Sequence, residues 1–351
     1  MRKSKPFGRT EFYTNRGMGL VGHLLYALIV AVWLVAPAKA QPEAKEVRIA
    51  FQYGIAYLPI LVAEDRQLIE HRLKAAGLND TKVTLVRFSG APAVSEAVLS
   101  GNVDIGAYGT TGFLTAWDKT RSNVGLKGLC GLAAMQSVLL ANRPDIKSIR
   151  DFKPEDRMSV PATVAPQAVI LRMAAEKAFG PGQHGKLDPQ MVVLPHPEGL
   201  RALVNRVDVV AQVTSPPFDS LALQNPGIHR VLTSDDVLGG PSTFVLLATT
   251  EKFASANPRA TQAVLAAMEE AMAFIEAHRR EAAEIYVKMD KSSMTPEFIE
   301  GLLNDPANRF SVEPLRMLQY AEFMARIGSL RQAPRDWKEL FLPLIANRSG
   351  S

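Results

Sequence analysis

Val103-Asp104-Ile105-Gly106-Ala107 and Val207-Asp208-Val209-Val210-Ala211 set the architecture of this chain. Each reads as a short strand, preceded by a helical segment and a turn and followed by a polar loop. The helices feeding them match as well, Ala97-Val98-Leu99 before the first and Ala202-Leu203-Val204 before the second, with a one-residue difference in spacing. A helix that returns the chain to a strand whose carboxyl end opens into a polar loop is the repeating unit of a parallel α/β sheet. Two such units predict an α/β fold with two sheets. The loops at the carboxyl ends of their strands are where open α/β sheets bind ligands.

The rest of the chain fits that frame. Val47-Arg48-Ile49-Ala50-Phe51 and Val83 to Phe88 alternate as strands, and the spacing predicts one helix from Pro59 to Ala76 between them, stopped at Gly77. Met191 to Leu194 is a strand, Pro195-His196-Pro197 a loop and Glu198 to Val204 a helix. Gly131 to Ala141 reads as one long apolar strand, and Thr243 to Thr249 as another; these two stretches would carry the chain between lobes and back. Beyond them an apolar stripe predicts a helix from Thr261 to Met289, then Thr295-Pro296-Glu297 opens another, and a last one ends before Gly328. At 351 residues the chain has the length of two domains.

The charge resides in the leader. Of 40 Lys and Arg and 35 Asp and Glu, residues 1–40 hold six basic residues and only Glu11, so the remainder is balanced at 34 of each. A neutral body excludes a global bias toward nucleic acid. Arg2, Lys3, Lys5, Arg9 and Arg16 precede an apolar run from Gly19 to Val35, and Ala38-Lys39-Ala40 supplies small residues two apart. That order predicts a signal peptide cleaved after Ala40, hence an exported, periplasmic protein. The run is at the lower limit for a membrane span, and the small-x-small exit favours cleavage over a retained anchor. One cysteine, Cys130, excludes an internal disulfide and a Cys-rich metal site; among Leu129, Gly131 and Leu132 it reads as a buried small hydrophobe.

Several phrases occur together and in order: Val47 to Ala50 followed by Leu61-Val62-Ala63-Glu64, Val86 to Pro92, Ser100-Gly101-Asn102-Val103-Asp104-Ile105-Gly106, Lys147-Ser148-Ile149-Arg150-Asp151-Phe152-Lys153, and Val207-Asp208 through Pro217-Phe218. With these the chain resembles the periplasmic substrate-binding proteins of ABC importers, in the nitrate, taurine, alkanesulfonate and thiamine-pyrimidine branch. The resemblance implies a type II periplasmic binding protein fold. Lobe 1 would hold residues 46–139 and 240–351, including the C-terminal helices, and lobe 2 residues 140–239, with the ligand cleft between them. It implies capture of a small organic solute (a sulfonate, a taurine-like or an aromatic compound) and delivery to an ABC permease with its cytoplasmic ATPase, by a monomer without cofactor. The chain departs from the family pattern at Asn205-Arg206, where a Gly is usual, and at Thr214-Ser215, where relatives often carry Trp-Asp or Trp-Glu.

The candidate ligand-binding residues are Gln52, Tyr53, Tyr57, Ser89, Gly90, Tyr108, Thr110 and Thr111 from the first half, and Thr163, Gln167, Thr214 and Ser215 from the second. None is Lys or Arg. Hydroxyls and backbone N–H groups at helix N-termini suit an oxyanion, and the tyrosines suit a flat ring. Each has a plainer role open to it. Tyr53 and Tyr57 compete for one place, Tyr108 is equally a core residue, and Thr110, Thr111, Thr214 and Ser215 are equally helix caps. His196, between two prolines, reads as a structural loop residue. Asp104 and Asp208, at strand starts, read as bonding local backbone. No catalytic triad, nucleophile elbow, Walker loop or metal pair is present, which disfavours the alternative of a pyrimidine-synthase-like enzyme. A ligand-sensing receptor subunit of the same fold is the other alternative.

Overall fold

The computed structural model describes residues 42–88 and 90–351; the expected leader and Ser89 lie outside them. Its helices and strands run as follows. β1 (Glu46–Phe51), α1 (Leu58–Asp65), α2 (Leu68–Ala75), β2 (Lys82–Arg87), α3 (Ala91–Leu99), β3 (Ile105–Gly109), α4 (Thr110–Thr120) and β4 (Leu126–Ala134) come first. β5 (Val138–Ala141), β6 (Met158–Val160), α5 (Pro166–Phe179), β7 (Met191–Val193), α6 (His196–Asn205), β8 (Ala211–Thr214), α7 (Phe218–Leu223), β9 (His229–Thr233) and α8 (Ser234–Leu238) follow. The chain closes with β10 (Thr243–Thr250), α9 (Glu251–Ala256), α10 (Pro258–Ala277), α11 (Arg279–Asp290), α12 (Pro296–Asn304) and α13 (Met317–Arg326).

Two five-stranded mixed sheets result, ordered β2-β1-β3-β10-β4 and β7-β6-β8-β5-β9. The symmetry foreshadowed by the paired Val-Asp phrases is complete at this level. In each sheet three adjacent parallel strands are followed by one antiparallel strand, and a fifth strand pairs on its far side. β10 lies between β3 and β4, and β5 lies between β8 and β9. The chain passes from the first sheet to the second through Met135-Gln136-Ser137, so the apolar run 131–141 is two strands of different sheets. It returns through α8 and Gly239-Gly240-Pro241. Arg316 fastens this return segment by donating to the carbonyls of Leu238, Gly239 and Pro241.

Each sheet has its own apolar core, and α5 belongs to both: Val169 and Ile170 pack with the first, Ala168, Leu171, Ala174 and Ala175 with the second. Helix α13 reaches α5 as well, through the ion pair of Arg326 with Glu176.

Several local expectations are corrected. The helix expected over 59–76 breaks at Gln67, whose φ is 53°. The preceding Arg66 is drawn outward over the Phe274 ring, at 4.1 Å, and onto Glu281, at 3.0 Å. The helix expected over 261–289 breaks at His278, whose ring stacks on Phe274. Neither break carries Gly or Pro; at Arg66 a tertiary contact marks the break, and at His278 the ring folds back onto its own helix at Phe274. β3 and β8 begin later than the Val-Asp phrases suggest. Asp104 is bound by Arg48, both guanidinium (2.8 and 3.0 Å) and backbone N–H (2.8 Å), and so pins the start of β3 to β1 rather than capping local backbone. Asp208 sits in a left-handed turn, φ 63°, outside β8 and exposed. His196 is not in a loop: it is the first residue of α6.

Candidate functional site

At the carboxyl end of β3 the strand passes directly into α4, with only Gly109 to bend through. The first two residues of that helix turn their hydroxyls outward rather than capping it. Thr110 Oγ1 donates to the carbonyl of Thr243 and Thr111 Oγ1 to the carbonyl of Val164, both at 2.5 Å. Val164 precedes α5, so the second bond ties the carboxyl end of the first sheet to the carboxyl end of the second. Gly109 makes that approach possible, since a Cβ there would lie 3.1 Å from Pro166 Cδ. A Cβ on Gly112 would sit 3.9 Å from the Ala91 Cβ, which brings the start of α3 alongside.

Three helix N-termini therefore converge: α3 after Gly90, α4 after Gly109 and α5 after Ala165. None carries a side-chain cap. Three of the thirteen described α-helices, α8, α9 and α12, are capped by the hydroxyls of Thr233, Thr250 and Thr295, and the others share the uncapped state. The first N–H groups of a helix have no intrahelical partner and bear the positive end of its dipole, so this junction offers N–H donors to an anion, with Arg172 at its edge on the Thr163 carbonyl.

The other nominated residues divide. Tyr108 is fully buried in β3, edge-on to Phe113, and its hydroxyl has no hydrogen-bond partner among the described residues. Burial raises its pKa, so it stays a neutral phenol. Tyr57 is buried in the short 3-10 turn before α1, next to Phe51, and burial likewise raises its pKa. Tyr53 is 57% exposed. Gln52 spans the loop ends by donating to the carbonyl of Ala107 at 3.4 Å. Gln167 is buried in the first turn of α5, whereas the Thr163 side chain is exposed and its carbonyl accepts from Arg172. Thr214 and Ser215, both buried, end β8. The hydroxyl of Thr214 meets Nδ1 of His196 at 2.8 Å.

Two contributors escaped the sequence reading. His196 is one. The other is Arg87, the last residue of β2 and the cation nearest the nominated loop after it. Its guanidinium lies 4.9 Å from both the Phe51 and Tyr53 rings and is neutralised by Asp290 at 2.7 Å. An Arg inside a strand pattern gives no signal that it will end at a site. Among the described residues, no group of three or more His, Cys, Asp or Glu gathers to hold a metal, and no helix is long and apolar enough to cross a membrane.

The NMT1-like family matches residues 40–289. A putative aliphatic sulfonates-binding protein of Escherichia coli (strain K12) is 26% identical over 263 residues, covering 74% of this chain and 76% of the relative. Among solved structures, the periplasmic aliphatic sulphonate binding protein of Escherichia coli superposes with a TM-score of 0.66 at 20% identity, over 86% of this chain and 92% of that one. The alkanesulfonate-binding protein of Xanthomonas axonopodis pv. citri, bound to MOPS, gives 0.64 at 18% identity, over 84% and 96%. The periplasmic nitrate-binding protein of Synechocystis PCC 6803 gives 0.63 at 13% identity, over 85% and 84%. These likenesses show a periplasmic binding protein fold.

Proposed function

This chain belongs to the NMT1-like family, and from that premise we propose that it is an extracytoplasmic solute-binding protein that hands its ligand to an ABC permease. The two sheets act as two lobes that close on the ligand, the first built by β1 to β4 with β10 and the second by β5 to β9, so the division falls at Met135-Gln136-Ser137 rather than at residue 139. The observation that carries the reading is the junction where Thr111 reaches Val164. Three helix N-termini without side-chain caps meet there, the hydroxyl-bearing Thr110 and Thr111 open one of them, and Arg172 holds the Thr163 carbonyl at its edge.

Such a site favours an oxyanion whose charge is spread over several acceptors. An alkanesulfonate fits, with the apolar part of the ligand lying toward Tyr57 and Tyr108. The relative described as a putative aliphatic sulfonates-binding protein supports the same class. Gly90, Thr110, Thr111 and Gln167 are the proposed head-group contacts, with Thr214 and Ser215 beside them; Gln52, Tyr53 and Thr163 form the rim, and Ser89, outside the described residues, remains a candidate from the sequence. The protein works in the periplasm, delivered there by the leader, and as a monomer.

A thermal-shift series with alkanesulfonates, taurine, nitrate, aromatic acids and hydroxymethyl-pyrimidines tests this. A ligand at 100 times its Kd adds about 2.7 kcal/mol, a shift of a few degrees. Stabilisation by the sulfonates, weakened in Thr111→Val, is the expected result. A panel without any shift rejects the ligand class.

A further inference from the structure

His196 is held at two points. Its Nδ1 lies 2.8 Å from Thr214 Oγ1, and its ring lies flat on Phe218, with centroids 5.2 Å apart and planes within 6°. Its carbonyl accepts from Gln212 Nε2 at 3.1 Å, which fixes the backbone beneath. What remains free is the proton. With the proton on Nε2, Nδ1 accepts the Thr214 hydroxyl, whose hydrogen is then used up. With a proton on Nδ1, whether in the other neutral tautomer or in the imidazolium, the ring donates and the Thr214 hydroxyl hydrogen is released to donate elsewhere.

Resting on the reading that the site takes an oxyanion, we propose that His196 is a positioning residue that makes binding proton-linked: an anionic head group selects the imidazolium, in which Nδ1 donates to Thr214 and Thr214 donates to the ligand. That state forms by uptake of one proton from solvent at Nδ1 while Nε2 keeps its own; the neutral Nδ1–H tautomer makes the same bonds without uptake and gives no pH dependence. The surroundings isolate this exchange. Of the elements packed against α6, β6 and β8 carry no titratable residue and α7 carries only Asp219. On α6 itself the charged residues are Glu198 and Arg201. Asp219 is held toward its neutral form by burial.

Burial pushes His196 down to about 4, so the ring is neutral at neutral pH in the free protein. An anion placed beside the pair favours the protonated ring and raises that value. Affinity then climbs as pH falls, by up to about tenfold for each unit the value is raised.

Calorimetric titration of the full chain with butanesulfonate, in sulfonate-free buffer near neutrality and about two pH units lower, reads this directly. The wild type is expected to bind several-fold more tightly at the lower pH. His196→Asn keeps a polar group near the Nδ1 position but cannot titrate; it is expected to bind more weakly, with an affinity that no longer varies with pH. Thr214→Val, with His196 in place, is expected to lose the same pH dependence. A flat wild-type profile, or a binding variant that keeps the wild-type profile, overturns the proposal while leaving the sulfonate reading standing. Absence of binding at both pH values rejects the sulfonate reading and this inference together.

Discussion

Tyr108 owes its position to Gly106. A Cβ on Gly106 would lie 2.7 Å from Tyr108 Cε2, 2.8 Å from Val98 Cγ2 and 2.9 Å from Val94 Cγ1, and the two valines are stiff at χ1. Gly106→Ala is therefore expected to destabilise the protein by about 1–3 kcal/mol through overpacking, seen as a lower urea midpoint at unchanged slope. A wild-type midpoint would mean that the Tyr108 ring has room to move. Residue identity was legible in the sequence and residue role was not. Thr111 reads locally as a helix cap, yet its hydroxyl bonds the carbonyl of Val164 in the other half of the chain. Thr214 reads as a loop hydroxyl, yet it is bound to His196. Partners so distant in sequence leave no trace in local periodicity.

At the scale of elements, most strands and helices were legible, because buried strands and amphipathic helices leave a periodicity of their own. The exceptions are places where a tertiary contact overrides a continuous pattern. Arg66 and His278, both at helix breaks, pack on the same Phe274 ring. The return segment after α8 shows the same dependence. Gly239 and Gly240 have φ of 79° and 142°, so the segment has little intrinsic preference for one path. Arg316 supplies the preference through three backbone carbonyls. Arg316→Ala is expected to cost about 1–3 kcal/mol and to raise hydrogen exchange selectively over residues 234–242. Uniform exchange across the chain would show that the segment holds its path unaided.

For the whole molecule, the described state is one in which the two halves meet through α4 and α5. α5 is gripped at its first turn by Thr111 and along its length by Arg326 of α13. The Arg326–Glu176 pair is partly exposed, so its contribution to folding is small, about 0–1 kcal/mol. Its leverage lies in the relation between the sheets. Arg326→Ala is expected to leave the denaturation midpoint nearly unchanged while increasing the radius of gyration of the ligand-free protein in solution scattering. An unchanged radius would assign the grip on α5 to its apolar contacts alone. The late return of β10 to the first sheet also governs the order in which the molecule is made. The second sheet draws all its strands from one stretch, Val138 to Thr233, whereas β4 has no partner strand until β10 arrives from residues 243–250. A chain emerging amino terminus first therefore completes its later sheet before its earlier one. Throughout that interval Leu126–Ala134, apolar and unpaired, is the segment that most needs a chaperone's protection.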